Sequence, residues 1–235
     1  LSKGQHDKLL KFAQSIGMGG LGYLEVKEEL KYKGPIDKFI PDDMKMELAE
    51  MAGLQEGDTI FFIAAPEKAA CIYAGQIRNE LGSRLDLLEK DAYRFCYIND
   101  FPMYEIDEET GKLGFTHNPF SMPQGGLEAL NEKDPLDILA YQYDIVCNGV
   151  ELSSGAVRNH DMEIMEKAFD IAGYDKETLK DKFGALYNAF QFGAPPHAGM
   201  APGVDRMIML LRNEENIREI IAFPMSGTAQ DLMCG

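Results

Sequence analysis

The sequence predicts an α+β fold in two units, and three observations predict it. Helix and strand signals alternate through residues 1–90, the character of the chain changes at Ala92, and the second half carries a hairpin centred on Asn148-Gly149. Residues 3–16 place apolar side chains at helical spacing and stop at Gly17-Met18-Gly19-Gly20. Leu21–Lys27 reads as a short strand, a Gly34-Pro35 loop follows, and a helix over 42–52 ends at Gly53. Asp58–Ala65 reads as a buried strand, and Pro66 opens a long helix towards Leu88.

Beyond the boundary near residue 90, Tyr93–Ile98 is a strand running into Asp100-Phe101-Pro102-Met103-Tyr104-Glu105. Asp107–Gly114 reads as a polar loop, and Phe115–Phe120 ends in a turn. A loop with Pro123 and Gly125-Gly126 leads to a strand over 139–147. Helices over 161–172 and 176–191 follow, capped by Asp161 and Asp175. No internal repeat or low-complexity tract interrupts this order.

Acids outnumber bases 39 to 23, a net charge of −16, which excludes a surface that grips nucleic acid all over but not a local basic patch. Cys71, Cys96, Cys147 and Cys234 are scattered without a C-x-x-C pair. They read as reduced cytosolic thiols rather than a disulfide frame or zinc site. No apolar run approaches the roughly 18 residues that span a bilayer. The start at Leu1-Ser2-Lys3, without methionine, reads as that of an excised fragment.

With Asn148 and Gly149 as the turn, Cys147 faces Val150 and Val146 faces Glu151. Glu151 and Asp144 then lie diagonally on one face, with Cβ atoms roughly 7–8 Å apart. The other face, with Tyr141, Tyr143, Ile145, Cys147, Val150 and Leu152, is the apolar one. Two acids sharing a face repel unless a cation lies between them, and Mg²⁺ takes one or two carboxylates plus nucleotide phosphates. A solvated face with both acids in water fits the same spacing. Ser153-Ser154-Gly155-Ala156-Val157-Arg158 adds hydroxyls, small residues and a cation, which favours a polar ligand site.

Gly199-Met200-Ala201-Pro202-Gly203-Val204-Asp205-Arg206 feeds into the apolar run 207–211. An apolar helix face on Val204, Ile208 and Leu211 leaves Arg206 off the core and free to grip phosphate oxygens. An exposed arginine on an ordinary amphipathic helix has the same spacing. His117 and His197 each stand alone in a turn or loop, where a histidine is as readily structural or exposed. Ser154 lacks a nucleophile elbow, and no Ser-His-Asp or Cys-His arrangement is present.

FGAPPHAGMAPGVDRMIMLL followed by NIREIIAFP resembles the third signature motif of class II aminoacyl-tRNA synthetases in their aspartyl form. YDIVCNGVELSSGAVR resembles the strand pair before it, while DFPMYE and THNPFSMP resemble the re-entry into that catalytic domain. Residues 1–90 resemble the inserted GAD domain of the bacterial type, and 91–235 the C-terminal part of the catalytic domain. The resemblance implies an antiparallel sheet flanked by helices, present in part, beside a small α+β domain. It implies ATP and Mg²⁺ as cofactors, with Arg206 on the γ-phosphate and Gly203, Val204 and Asp205 shaping the nucleotide pocket. Glu151 would meet ATP through the metal, supported by Asp144 and Ser154. Arg158 would pair with the side-chain carboxylate of L-aspartate, with His117 against the amino acid.

The implied product is aspartyl-adenylate, then aspartyl-tRNA on tRNA(Asp), with tRNA(Asn) left open. The implied parent is a cytoplasmic homodimer without a membrane segment. Asn118 stands where a second histidine is frequent, and Pro202 where phenylalanine is common. No part resembles an anticodon-binding barrel or the first and second motifs, so these 235 residues are expected not to form aspartyl-adenylate alone. A non-catalytic GAD-containing docking module, as in tRNA-dependent amidotransferases, is the alternative. It would lack Arg158, Glu151 and Arg206 in this arrangement.

Overall fold

A computed structural model of the chain describes residues 1–231 and Met233, so Cys234 lies outside the described residues. The backbone divides into two compact units, Leu1–Asp91 and Ala92 onward.

In the first unit, α1 (Lys3–Ser15) starts with a reciprocal cap between Ser2 and Gln5. β1 (Gly22–Val26), β2 (Tyr32–Lys33) and β3 (Thr59–Phe62) make an antiparallel sheet in the order β2–β1–β3. α3 (Glu67–Arg84) shares a core with α1 through Leu9, Ala13, Met18, Leu21 and Ile77. α2 (Asp42–Ala52) closes a second cluster of Leu24, Val26, Tyr32 and Ala49. β3 is half-buried rather than the buried strand that Asp58–Ala65 predicts. One face of a three-stranded sheet cannot enclose a whole strand.

His6 is buried beneath this sheet, with its ring stacked on Tyr23 at 4.1 Å. Burial outweighs the nearby Glu25 carboxylate and pulls the imidazole below its ordinary 6.5. The unfolded chain therefore binds this proton first. The contribution of His6 to stability is complete above pH 6.5 and is lost as pH falls through the folded value. Chemical-denaturation midpoints of this unit should drop between about pH 7.5 and about pH 5.5, and His6→Phe should flatten that difference.

The second unit is built on a four-stranded antiparallel sheet in the order β4–β7–β8–β9. Its strands are β4 (Phe95–Pro102), β7 (Leu139–Cys147), β8 (Val150–Val157) and β9 (Ala198–Pro202). β5 (Tyr104–Ile106) and β6 (Leu113–Phe115) form a separate hairpin where the sequence predicts a loop over 107–114. The Asp107 carboxylate draws that turn together by accepting from Glu109 N–H and Thr110 N–H. α4 (Gly126–Glu132), unpredicted, shares a buried core with α5 (Met162–Ile171) around Tyr104, Leu130, Ala140 and Ala168. α6 (Lys176–Phe190) and α5 enclose an aromatic cluster of Phe169, Tyr187, Phe115, Phe120 and Phe183. Asp161 and Asp175 cap α5 and α6 as the sequence predicts. α7 (Val204–Arg212) follows β9 directly.

One predicted face is corrected and a second holds only in part. On α7, Val204, Ile208 and Leu211 are exposed, at 62%, 39% and 68%, while Met209 is buried and Arg206 half-buried. The helix lies with the Arg206–Met209 side towards the sheet, not with the Val204 stripe. On β7, Tyr141 is 47% exposed, whereas Ala140, Gln142 and Val146 are buried. Cys147 and Leu152, on the predicted apolar face, are buried as well, and Ala140 belongs to the core around α4 and α5, so burial is shared between the two faces of this strand pair.

Candidate active site

The turn residues Asn148 (φ 51°) and Gly149 (φ 83°) are both left-handed, as a two-residue hairpin requires. Cys147 opposes Val150 and Val146 opposes Glu151, which is the register the sequence predicts. One step further the strands depart from it, because Ile145 opposes Ser153 and Asp144 opposes Ser154. Leu152 is the extra residue of a β-bulge, and its carbonyl accepts from Gly203 N–H at 2.7 Å. An unbroken ladder would have set Ser153 against Asp144. The bulge instead puts Asp144, Val146, Glu151 and Ser154 on one face.

Gly203 begins α7, and the aliphatic part of Arg206 folds back over it, with Cδ 3.5 Å from where a Gly203 side chain would start. Arg206 Nη1 then donates to the Glu151 carbonyl at 2.7 Å and to Glu151 Oε1 at 3.0 Å. Both side chains are close to half exposed, so this ion pair is worth no more than about 1 kcal/mol. Its value is geometric, since it fixes the arginine beside the acid and leaves the other guanidinium N–H groups as donors. Val204 and Asp205 are exposed in the first turn of the same helix.

At the far end of the same face, β7 and β8 part after the Gln142–Ala156 pair, and the segment 121–124 enters between them. Met122 N–H donates to Val157 O at 2.8 Å, and Tyr141 N–H donates to Met122 O at 2.9 Å. Ser121 bridges Arg158, whose own N–H donates to His197 O at 2.9 Å. The loop carrying His117 is thus bonded through its backbone to the strand end carrying Arg158. Alternation continued past β8 sets Arg158 on the Asp144 face, about 13 Å along from Ser154. Its half-buried guanidinium has no ion pair among the described residues. Exposed His117 stands edge-on to Phe101 at 5.1 Å, just past the β4 bulge at Asp100 (φ 59°).

Gln142 and Gln124 take part in this arrangement without any signal in the sequence, and Asn118 gains a role. Gln142 is buried and donates to Asn118 O at 3.2 Å, and Asn118 Oδ1 accepts from Phe120 N–H at 2.9 Å. Asn118 therefore shapes the turn next to His117, a role its Asn-Pro context signals. Gln124 donates to the Asp100 carboxylate at 2.6 Å, holding the bulged residue. Tyr143 donates to Gly199 O at 3.0 Å across Gly155.

Asp144, Glu151 and Ser154 supply two carboxylates and a hydroxyl on one face, a donor set suited to Mg²⁺ when phosphates complete its shell. Among the described residues no three His, Cys, Asp or Glu side chains gather into a metal cluster of their own. No helix of the described residues is long and apolar enough to cross a membrane.

A family model described as tRNA synthetases class II (D, K and N) matches residues 10–227. The chain is 56% identical over 229 residues to the aspartate–tRNA(Asp/Asn) ligase of Zymomonas mobilis, covering 97% of this chain and 38% of that protein. It is 55% identical over 231 residues to the enzyme of the same name from Gluconobacter oxydans, covering 98% and 38%. Among solved structures, an aspartyl-tRNA synthetase from Entamoeba histolytica aligns at 22% identity and a TM-score of 0.45, covering 79% of this chain and 31% of that one. The chain spans 38% of the length of the two bacterial relatives it matches.

Proposed function

Because the chain belongs to the class II tRNA synthetases of the D, K and N group, we propose that it carries part of an aspartate–tRNA ligase site. The observation that carries the reading is the single sheet face holding Asp144, Glu151 and Ser154, with Arg206 tied to Glu151 at one end. Arg158, unpaired among the described residues, lies along that face at the other end.

In the proposed reaction the aspartate α-carboxylate attacks the ATP α-phosphate, giving aspartyl-adenylate and pyrophosphate. A terminal ribose hydroxyl of tRNA then attacks the mixed anhydride and releases AMP. Arg206 and Gly203 hold the phosphate end, Val204 and Asp205 border it, and Arg206 offers the triphosphate the donors that Glu151 leaves unused. Mg²⁺ held by Asp144 and Glu151, with Ser154 beside them, would neutralise phosphate charge. Arg158 pairs with the substrate's side-chain carboxylate and penalises asparagine, which leaves the cation unmatched. His117 stands against the amino acid on the loop that Asn118 and Gln142 shape.

The name shared by the relatives supports tRNA(Asp) together with tRNA(Asn) as acceptors. Residues 1–90 serve as the GAD domain and 91–235 as the C-terminal part of the catalytic domain. A cytoplasmic homodimer is carried over from the family resemblance.

Calorimetric titration with ATP·Mg²⁺ tests the phosphate end. Arg206→Ala is expected to weaken binding at least about tenfold with an unchanged thermal midpoint, since its ion pair adds little stability. Equal binding by both proteins would overturn the assignment of Arg206.

A further inference from the structure

The sheet of the second unit ends at β4, and among the described residues no strand pairs with the outer side of β4. Asn148 N–H donates to Arg94 O at 3.0 Å, so alternation turns the main-chain groups of Cys96 and Ile98 towards β7. Those of Phe95, Tyr97 and Asn99 therefore point outward. The side chains are uncovered as well, with Phe95 65%, Tyr97 67% and Ile98 47% exposed. Folded proteins blunt such an edge with a lysine, a proline or a covering segment. Phe95–Asn99 holds no lysine, no proline and no charge of either sign. The bulge between Asn99 and Phe101 ends the regular ladder, which leaves Phe95–Asn99 as the usable edge.

That stretch is centred on Tyr97, and its symmetry selects a second copy of itself. A two-fold axis at Tyr97 sets Tyr97 against its own copy and Phe95 against Asn99 of the second copy. All of these are outward residues, and each such pair exchanges two N–H···O bonds. An axis at Cys96 would instead set Asn99 against Tyr93, which lies outside β4. Charge agrees with the Tyr97 axis, because Arg94 and Asp100 flank the stretch with opposite signs and each comes opposite the other's copy. The uncharged stretch between them lets two chains of net charge −16 meet without repulsion at the contact.

We propose that two copies of this chain pair antiparallel along β4, joining their sheets into one across a two-fold axis at Tyr97. The pairing satisfies the outward main-chain groups and covers Phe95, Tyr97 and Ile98. It rests on the sheet edge and not on the synthetase reading.

Sedimentation velocity of the 235-residue chain under reducing conditions, from about 1 to about 200 µM, tests it. A reversible dimer is expected with a Kd on the order of tens of micromolar, as a single strand pair of small area gives. Tyr97→Lys sets two ammonium groups against each other at the axis and should weaken the dimer at least about tenfold. Its thermal midpoint should stay unchanged, because Tyr97 is mostly exposed. Ile98→Cys reads the register, since the new thiol opposes Cys96 of the second copy in a pair without mutual hydrogen bonds. The Cα atoms of such a pair lie about 4.5 Å apart, within disulfide range. Diamide should convert this variant to a covalent dimer, and Cys96→Ser in the same chain should abolish the link. A monomer at the highest concentration, an equally strong dimer in Tyr97→Lys, or an Ile98→Cys dimer that diamide leaves unlinked would overturn the pairing.

Discussion

Gly155→Ala is expected to lose about 3 kcal/mol of stability, the upper end of ordinary overpacking and a large share of a domain's total. A Cβ at Gly155 would lie 2.4 Å from the Tyr143 ring and 2.5 Å from the Gly199 carbonyl. The tyrosine could swing aside, but only by giving up its hydrogen bond to Gly199 O. The carbonyl cannot, because Met200 next to it pairs with Gly155 itself and Gly199 pairs with Ala156. Urea unfolding read by circular dichroism would show the loss. Tyr143→Ala added to Gly155→Ala should recover only part of it, since the backbone clash remains. Wild-type stability in Gly155→Ala would mean that β8 and β9 are not held this closely.

Phe169→Ala should cost about 3–5 kcal/mol, as truncation of a central buried aromatic does. Phe169 is 2% exposed, and its ring centroid lies 4.9 Å from Phe115, 5.5 Å from Phe120 and 5.8 Å from Phe183. Phe115 ends β6 and Phe120 sits in the turn next to Asn118, so the loop bearing His117 rests on this ring. Phe169→Leu should cost less than the alanine change, because it keeps most of the volume. The urea midpoint at constant slope would separate the two variants. Near-equal values would place the energy in the ring contacts rather than in filled space.

Much of the frame was legible because local chemistry decides it. Asn148-Gly149 dictates a turn whatever surrounds it, and Asp161 and Asp175 cap helices through their own carboxylates. The rest depends on what packs where. Met207–Leu211 is apolar all round, so spacing alone chooses the Val204 stripe and the protein chooses Met209. On β7 both faces bury residues, and a count of large side chains overlooks Ala140, which belongs to the core around α4 and α5. The bulge at Leu152 has no glycine or proline to mark it. Asp144 and Glu151 were placed on one face from the turn alone, but Ser154 reaches it only through that irregularity. Gln142 and Gln124 act through single hydrogen bonds that no spacing displays.

The extra residue at Leu152 gives β8 two kinds of chain-length tolerance. Removing Leu152 would restore an uninterrupted ladder with the same partners on either side, Val146 with Glu151 and Ile145 with Ser153. The scaffold could therefore shed this residue, whereas the start of α7 would lose the carbonyl that receives Gly203 N–H. Among relatives of this chain, length at this position should be invariant where Arg206 must meet Glu151 and free to drift where it need not. A gap at that one place would mark a lineage that has kept the sheet and given up the nucleotide.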